Sequence, residues 1–284
     1  MTTTPKPPTD NAADLLHFYR DAGVDAALEA EPVNRLAGQA EKPSAQAEAP
    51  AGRGDFPRLG EPRGDAAPAP APAQPALAVP DDAQVARARA EAREAKTLDE
   101  LRERLAAFDG CNLKFTAKNL VFADGNPQGG LMLIGEAPGR DEDLEGLPFV
   151  GRSGKLLDRM LAAIGLDRTQ VYIANTVPWR PPGNRTPTEL ETEICRPFIE
   201  RQIELADPKV LVSLGAPSAR TLMGVREGIL RARGKWRTHT TASGKDIPGM
   251  PTLHPAYLLR NPAHKKLAWR DFLEIKARLA ATGE

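Results

Sequence analysis

The chain has 284 residues, balances 38 lysines and arginines against 38 aspartates and glutamates, and contains only two cysteines, Cys111 and Cys195. No apolar stretch approaches the ~20 residues of a membrane span and no secretory core segment opens the chain, so a soluble, cytoplasmic protein with both thiols reduced is expected. With no CxxC pair, a self-contained zinc or iron–sulfur site within one chain is not expected.

Thirteen of the 27 prolines fall in residues 1–80, many in "APAPAPAQPALAVP" at Ala67–Pro80. Such a composition cannot bury enough apolar surface to offset its ordering entropy, and residues 38–82 read as a Pro/Ala-rich, partly polyproline linker. Ahead of it, residues 1–37 hold an island with Leu15, Leu16, Tyr19, Val24 and Leu28 at helical spacing. A helix that short is marginal alone. It reads either as packed on its own domain or as a motif for an unknown protein partner. Residues 1–80 carry seven basic and eleven acidic side chains, which leaves the remainder at +4. Between Arg220 and Arg270, eleven basic residues face only Glu227 and Asp246. That excess suits a polyanion, or a solvated basic face.

Residues 83–284 read as one domain. After a charged helix ("DELRERLAAF") come the apolar runs "GLMLIGEA", "VYIANTVP" and "KVLVSLG", each followed by a loop and a helical pattern. Continuous apolar strands alternating with helices predict an α/β fold, a three-layer α/β/α sandwich with a mostly parallel central sheet. "KWRTHTTASGKDIPGMPTLH" predicts a strand pair, and "HKKLAWRDFLEIKARLA" a final amphipathic helix.

Ligands of such sheets sit beyond the carboxyl ends of the strands, where four polar loops are expected. "GEAPGRDEDLEGLPFVGRSG" offers Glu136, Glu142 and Asp143 as carboxylates and Phe149 as either a stacking plate or a core anchor. It is not a P-loop, because GxxxxGK[ST] is absent. In "NTVPWRPPGNRTP", Asn175 at a strand end could present a donor and an acceptor to a base edge, or satisfy nearby backbone. Arg180 and Arg185 could hold phosphates or be solvated. "LGAPSA" forms the third loop. In "HPAYLLRNP", His254 stands at a rigid turn, and Leu258, Leu259 and Arg260 form an exposed loop that could wedge into a base stack or pack inward. The other histidines, His264 among them, have no comparable setting.

In this order the four segments "GEAPGRDEDLEGLPFVGRSG", "NTVPWRPPGNRTP", "CRPFIERQIELADPKVLVSLG" and "HPAYLLRNP" resemble the uracil-DNA glycosylase superfamily, most closely family 4, over about residues 100–284. The resemblance implies a monofunctional hydrolase that flips deoxyuridine from single- or double-stranded DNA and leaves an abasic site, acting as a monomer. The alternative is a non-catalytic binder of uracil or abasic sites. Gly135, Ala137, Glu142, Asp143, Phe149 and Asn175 would form the base pocket, with Phe149 stacking on uracil and Glu142 or Asp143 excluding the thymine methyl. Glu136 would orient or deprotonate water, and His254 would hydrogen-bond the leaving uracil. Arg180, Asn184, Arg185, Leu258, Leu259 and Arg260 would meet DNA. Asn184 stands about where a covalently trapped relative carries its reactive histidine, so hydrolysis is expected here. Family 4 also implies a [4Fe–4S] cluster on four cysteines, and here their positions hold Phe108, Cys111, Trp179 and Cys195. No cofactor or metal is therefore expected, with the two aromatics filling the cluster's volume.

Overall fold

The computed structural model describes residues 82–282. The expected segment 1–37 and the linker 38–82 lie outside the described residues, apart from Asp82, which opens the first helix.

Six strands form one sheet: β1 (Asp124–Gly125), β2 (Leu131–Gly135), β3 (Tyr172–Asn175), β4 (Val210–Leu214), β5 (Arg237–Thr240) and β6 (Asp246–Thr252). Their order is β1-β3-β2-β4-β6-β5. The four central strands run parallel, while β1 and β5 close the edges in antiparallel pairing. The chain leaves β2 for β3 on one side and then crosses to β4 on the other. The carboxyl end of β2 is therefore the point where strand order reverses, and a crevice opens there.

Two faces of the sheet are covered, which is why its strands are apolar without alternation. On one face Leu131, Leu133, Ile173, Val210, Val212 and Leu214 pack against Leu157, Leu161, Phe272 and Ile275. Those four come from α5 (Arg152–Ala163) and α10 (Lys265–Thr282). On the other face Met132, Ile134, Tyr172, Ala174 and Leu211 meet Ile199, Ile203 and Leu222. These belong to α6 (Glu189–Ala206) and α7 (Ala216–Met223). The expected three-layer α/β/α sandwich is what forms. Thr188 starts α6 with a capping box: its hydroxyl accepts the Glu191 N–H, and the Glu191 carboxylate accepts the Thr188 N–H;.

Beside this core, α1 (Asp82–Glu94) and α2 (Leu98–Ala107) lie against α6. Ala88, Ala92, Leu101 and Leu105 there join Ile194 and Phe198 in a separate apolar cluster. Among the described residues four short helices add to these, two of them in segments read as loops, at 140–145 and 255–260. They are α3 (Leu113–Thr116), α4 (Arg140–Glu145), α8 (Ile229–Ala232) and α9 (Pro255–Arg260).

The last of these corrects one expectation. Pro255 occupies the first helical position of α9, and His254 caps it by accepting the Ala256 N–H through Nδ1 at 3.1 Å;. A helix in place of an exposed loop turns successive side chains to different faces. Leu258 is consequently buried with Leu253 and Ala268, whereas Leu259 stays half-exposed and Arg260 exposed. Leu258 is a packing residue and not a wedge.

Candidate active site

A cleft of about 560 Å³ lies at the carboxyl ends of β2, β3, β4 and β6. Of the sequence-predicted residues it brings together Glu136, Ala137, Glu142, Phe149, Asn175, Asn184, Arg185, His254 and Arg260. Gly135 lies directly beneath, while Asp143, Arg180, Leu258 and Leu259 do not line it.

Glu136 follows β2. Its carbonyl is fixed by the Val177 N–H at 3.0 Å and the Thr176 hydroxyl at 2.8 Å. Its carboxylate is not fixed in this way: Oε1 is buried without a hydrogen-bond partner among the described residues. Burial accordingly raises its pKa above the ordinary glutamate value;. An under-satisfied carboxylate in a cleft is equipped to bind a water molecule.

Asn175 ends β3, paired in parallel register with Gly135. A Cβ on Gly135 would lie 2.4 Å from Asn175 Oδ1 and 2.7 Å from Phe149 Cζ. Only glycine therefore lets the amide and the ring approach the strand together. Phe149 itself has a φ of 56°, in the left-handed region, which costs a non-glycine residue about 1–3 kcal/mol. Its carbonyl is held by the Arg168 guanidinium. A Cβ at position 154 would fall 1.6 Å from that same carbonyl, so Gly154 is required for this turn. The Phe149 ring is buried, yet one part of it faces the cleft, 5.4 Å between centroids from the His254 ring. It serves as core anchor and cleft wall at once.

The capping bond from Ala256 occupies His254 Nδ1 as an acceptor, which places the proton of the neutral ring on Nε2;. Burial, with a smaller contribution from Arg260, pulls its pKa down to about 4. The ring is thus a neutral hydrogen-bond donor across the physiological range.

The two carboxylates left open by the sequence separate here. Glu142 lines the cleft and accepts the N–H groups of Gly139 at 3.1 Å and Gly151 at 3.2 Å, tying both flanks of the first loop. Asp143 faces away from the cleft. It accepts the backbone N–H groups of Lys118 at 2.8 Å and Asn119 at 3.2 Å, and sits 3.8 Å from the Arg180 guanidinium. Arg180 is further engaged by Asn184 Oδ1 at 2.7 Å. Arg185 is held by Glu191 through two bonds of 2.8 and 2.6 Å, and this pairing lowers the Glu191 pKa. These arginines are braced, not free.

Several cleft residues escaped sequence reasoning. Ser153, Leu214, Pro217, Ile229 and Tyr257 also line it. "LGAPSA" was legible as a ligand-facing loop, but nothing in it singled out one side chain. Ile229 lies in a segment without any motif.

Phe108, Cys111, Trp179 and Cys195 meet in the apolar cluster beside α6. All four are buried, with the two Sγ atoms 4.0 Å apart. The hydrogen bond to Cys111, with burial, pushes the Cys195 thiol well up, so Cys195 is the S–H donor. Two thiols and two aromatic rings do not fit a Cys₄ iron–sulfur cluster. Among the described residues no group of three or more His, Cys, Asp or Glu side chains could hold a metal ion. Ala137, a cleft residue, packs against this same cluster.

A doubly covered α/β sheet with a cleft at its switch point defines a ligand-binding or catalytic domain of the open α/β class. The comparisons make this specific. Residues 122–273 match the model of the uracil DNA glycosylase superfamily. A type-4 uracil-DNA glycosylase of Sulfurisphaera tokodaii is 40% identical over 188 residues, covering 63% of this chain and 84% of that protein. Proteins of the same name from Archaeoglobus fulgidus and Thermotoga maritima are 39% and 37% identical. They are matched over 92% and 94% of their lengths, and over 63% and 64% of this chain. The chain belongs to the uracil-DNA glycosylase superfamily, and these relatives place it close to family 4. Among the described residues no helix is long and apolar enough to cross a membrane.

Proposed function

We propose that the chain is a monofunctional uracil-DNA glycosylase that hydrolyses the N-glycosidic bond of a flipped deoxyuridine. The observation that carries this reading is the convergence of Glu136, Asn175, Phe149 and His254 on one cleft, with Glu136 Oε1 unpartnered.

Flipping costs a few kcal/mol, which contacts inside the cleft offset. Phe149 supplies a stacking face, worth ~1–3 kcal/mol per base. The Asn175 amide offers one donor and one acceptor to the polar edge of uracil, and cytosine, with the reversed pattern, would require the amide to turn over. Glu142, fixed by two backbone amides, narrows the pocket where a thymine methyl would project. As the bond from C1′ to the base nitrogen breaks, its electron pair moves onto the uracil ring and negative charge grows on the carbonyl oxygens. The His254 Nε2–H, already neutral and oriented, stabilises that charge without reorganising. The oxygen of a water held by Glu136 bonds to C1′, and the proton it releases balances the departing uracil anion. No lysine lines the cleft among the described residues, consistent with hydrolysis and no lyase step. Arg180, Asn184, Arg185, Leu259 and Arg260 form the DNA-facing rim, and the domain works on residues 83–284 as a monomer.

Apolar packing of Phe108 and Trp179 stands in for a metal cluster, and the chain carries no cofactor.

Incubating the protein with an oligonucleotide containing one uracil tests the reading. Free uracil should appear by chromatography, from a strand that breaks only after alkali. Retention of the oligonucleotide without uracil release would favour the binder instead, and strand scission before alkali would refute the monofunctional assignment.

A further inference from the structure

Tyr257 lines the cleft beside His254 and Arg260, and none of the roles above uses it. It is half-buried on α9 and packs with Ile229 on the Leu253–Leu258–Ala268 cluster. Its hydroxyl lies 2.7 Å from His264 Nδ1. The two rings also stack, with centroids 5.6 Å apart and planes 22° from parallel. His264 ends the 3₁₀ turn Pro262–His264 that joins α9 to α10. Asn261, which caps α9 just before that turn, donates to the Tyr257 carbonyl from its N–H at 2.9 Å and from its side-chain amide at 3.2 Å.

The chemistry of this arrangement is directional. The one polar atom of the phenol is already satisfied by His264, so what the side chain presents to the cleft is its apolar ring. With Nδ1 unprotonated the hydroxyl donates to Nδ1, and with Nδ1 protonated its N–H donates to the phenol oxygen. The contact persists in both states, which suits a fixed brace and not a switch. A cleft of about 560 Å³ is also larger than one pyrimidine fills, so its outer part must receive sugar or a neighbouring base.

We infer that His264 is a positioning residue for the glycosylase reaction. By hydrogen bond and stacking it holds the Tyr257 ring against the sugar and flanking base of the nucleotide that the cleft receives. This rests on the glycosylase reading above.

A double-mutant cycle on a single-stranded uracil oligonucleotide tests it, with the urea midpoint of every variant measured alongside. Tyr257→Phe and His264→Ala should each raise KM about five-fold, the effect of one ordinary hydrogen bond, with kcat little changed. Tyr257→Ala, which removes the ring, should raise KM by about 10- to 100-fold. The double variant Tyr257→Phe/His264→Ala should be no worse than His264→Ala alone, and His264→Gln, which retains an acceptor, should recover part of the loss. A wild-type KM in His264→Ala, or a double variant whose loss is the product of the single losses, would overturn the inference. A wild type that releases no uracil would refute the glycosylase reading instead. The same cycle in the Kd for that oligonucleotide would then decide the coupling, with additivity again against it.

Discussion

Gly135 and Asn175 face each other across the parallel pairing of β2 and β3, and a Cβ on the glycine would lie 2.4 Å from the asparagine oxygen. The Asn175 amide and the Phe149 ring thus share a space that only a missing side chain provides. Gly135→Ala should push both away from the strand. Misplacement of this kind costs about 100-fold in kcat/KM, and overpacking against the core anchor Phe149 costs about 1–3 kcal/mol of stability. Uracil release and the urea midpoint should both fall, with activity low even where the variant is fully folded.

Glu142 and Asp143 are neighbours with separate duties. Glu142→Ala frees the Gly139 and Gly151 amides and opens the cleft wall. It should weaken both uracil release and discrimination against thymine. Asp143→Ala leaves the Lys118 and Asn119 amides without their acceptor. That should cost about 1–3 kcal/mol of stability and leave the ratio of uracil to thymine activity unchanged. Paired rates on the two substrates distinguish the variants.

Leu258 and Leu259 should part in the same manner. Leu258→Ala creates a buried cavity and should cost about 2–5 kcal/mol. Leu259→Ala, at a half-exposed position, should leave the urea midpoint nearly unmoved and slow uracil release from duplex more than from single strands.

Acid conditions act on two groups of the site. His254 titrates at about 4 in the folded protein against 6.5 ordinarily. Between those pH values the unfolded chain binds the extra proton. Stability is therefore greatest above pH 6.5 and falls as pH drops toward about 4. His254→Gln should remove this part of the pH dependence from urea-midpoint measurements. Catalysis should have an acid limb of its own, because burial raises the Glu136 pKa above the ordinary glutamate value and its carboxylate must be ionised to hold water. The acid limb of kcat/KM should disappear, along with most of the rate, in Glu136→Gln.

In the apolar cluster beside α6, Trp179→Ala should cost about 3–5 kcal/mol, and chelators should not affect stability. Phe108→Cys/Trp179→Cys restores four thiols around the Cys111–Cys195 pair. After anaerobic treatment with iron and sulfide, this variant should take up iron and develop a broad visible absorption band while the wild type does not. Stoichiometric iron in the wild type would contradict the packing account.

Much of this was legible because the signals are local. Apolar runs separated by helical patterns gave the layers, and strand-end polar residues such as Glu136, Asn175 and His254 marked the crevice. What could not be read depends on geometry that spacing does not encode. A proline at the first turn made α9 a helix and so buried Leu258. Backbone amides of a distant loop captured Asp143. The Tyr257–His264 stack joins residues seven apart across a turn, and His264 lies outside the four polar-loop motifs. The two aromatics at 108 and 179 were legible as departures from a pattern, but only packing against α6 shows where their rings go.

The convergence of the amide and the neutral imidazole is tested most directly by uracil release from one oligonucleotide, with wild type, Asn175→Ala and His254→Ala side by side. The wild type should leave alkali-labile sites. Each variant should be slower by roughly 10²- to 10³-fold, the scale of losing one preorganised group, with DNA affinity largely retained. Absence of product from both single- and double-stranded substrate, or full activity in both variants, would contradict the account.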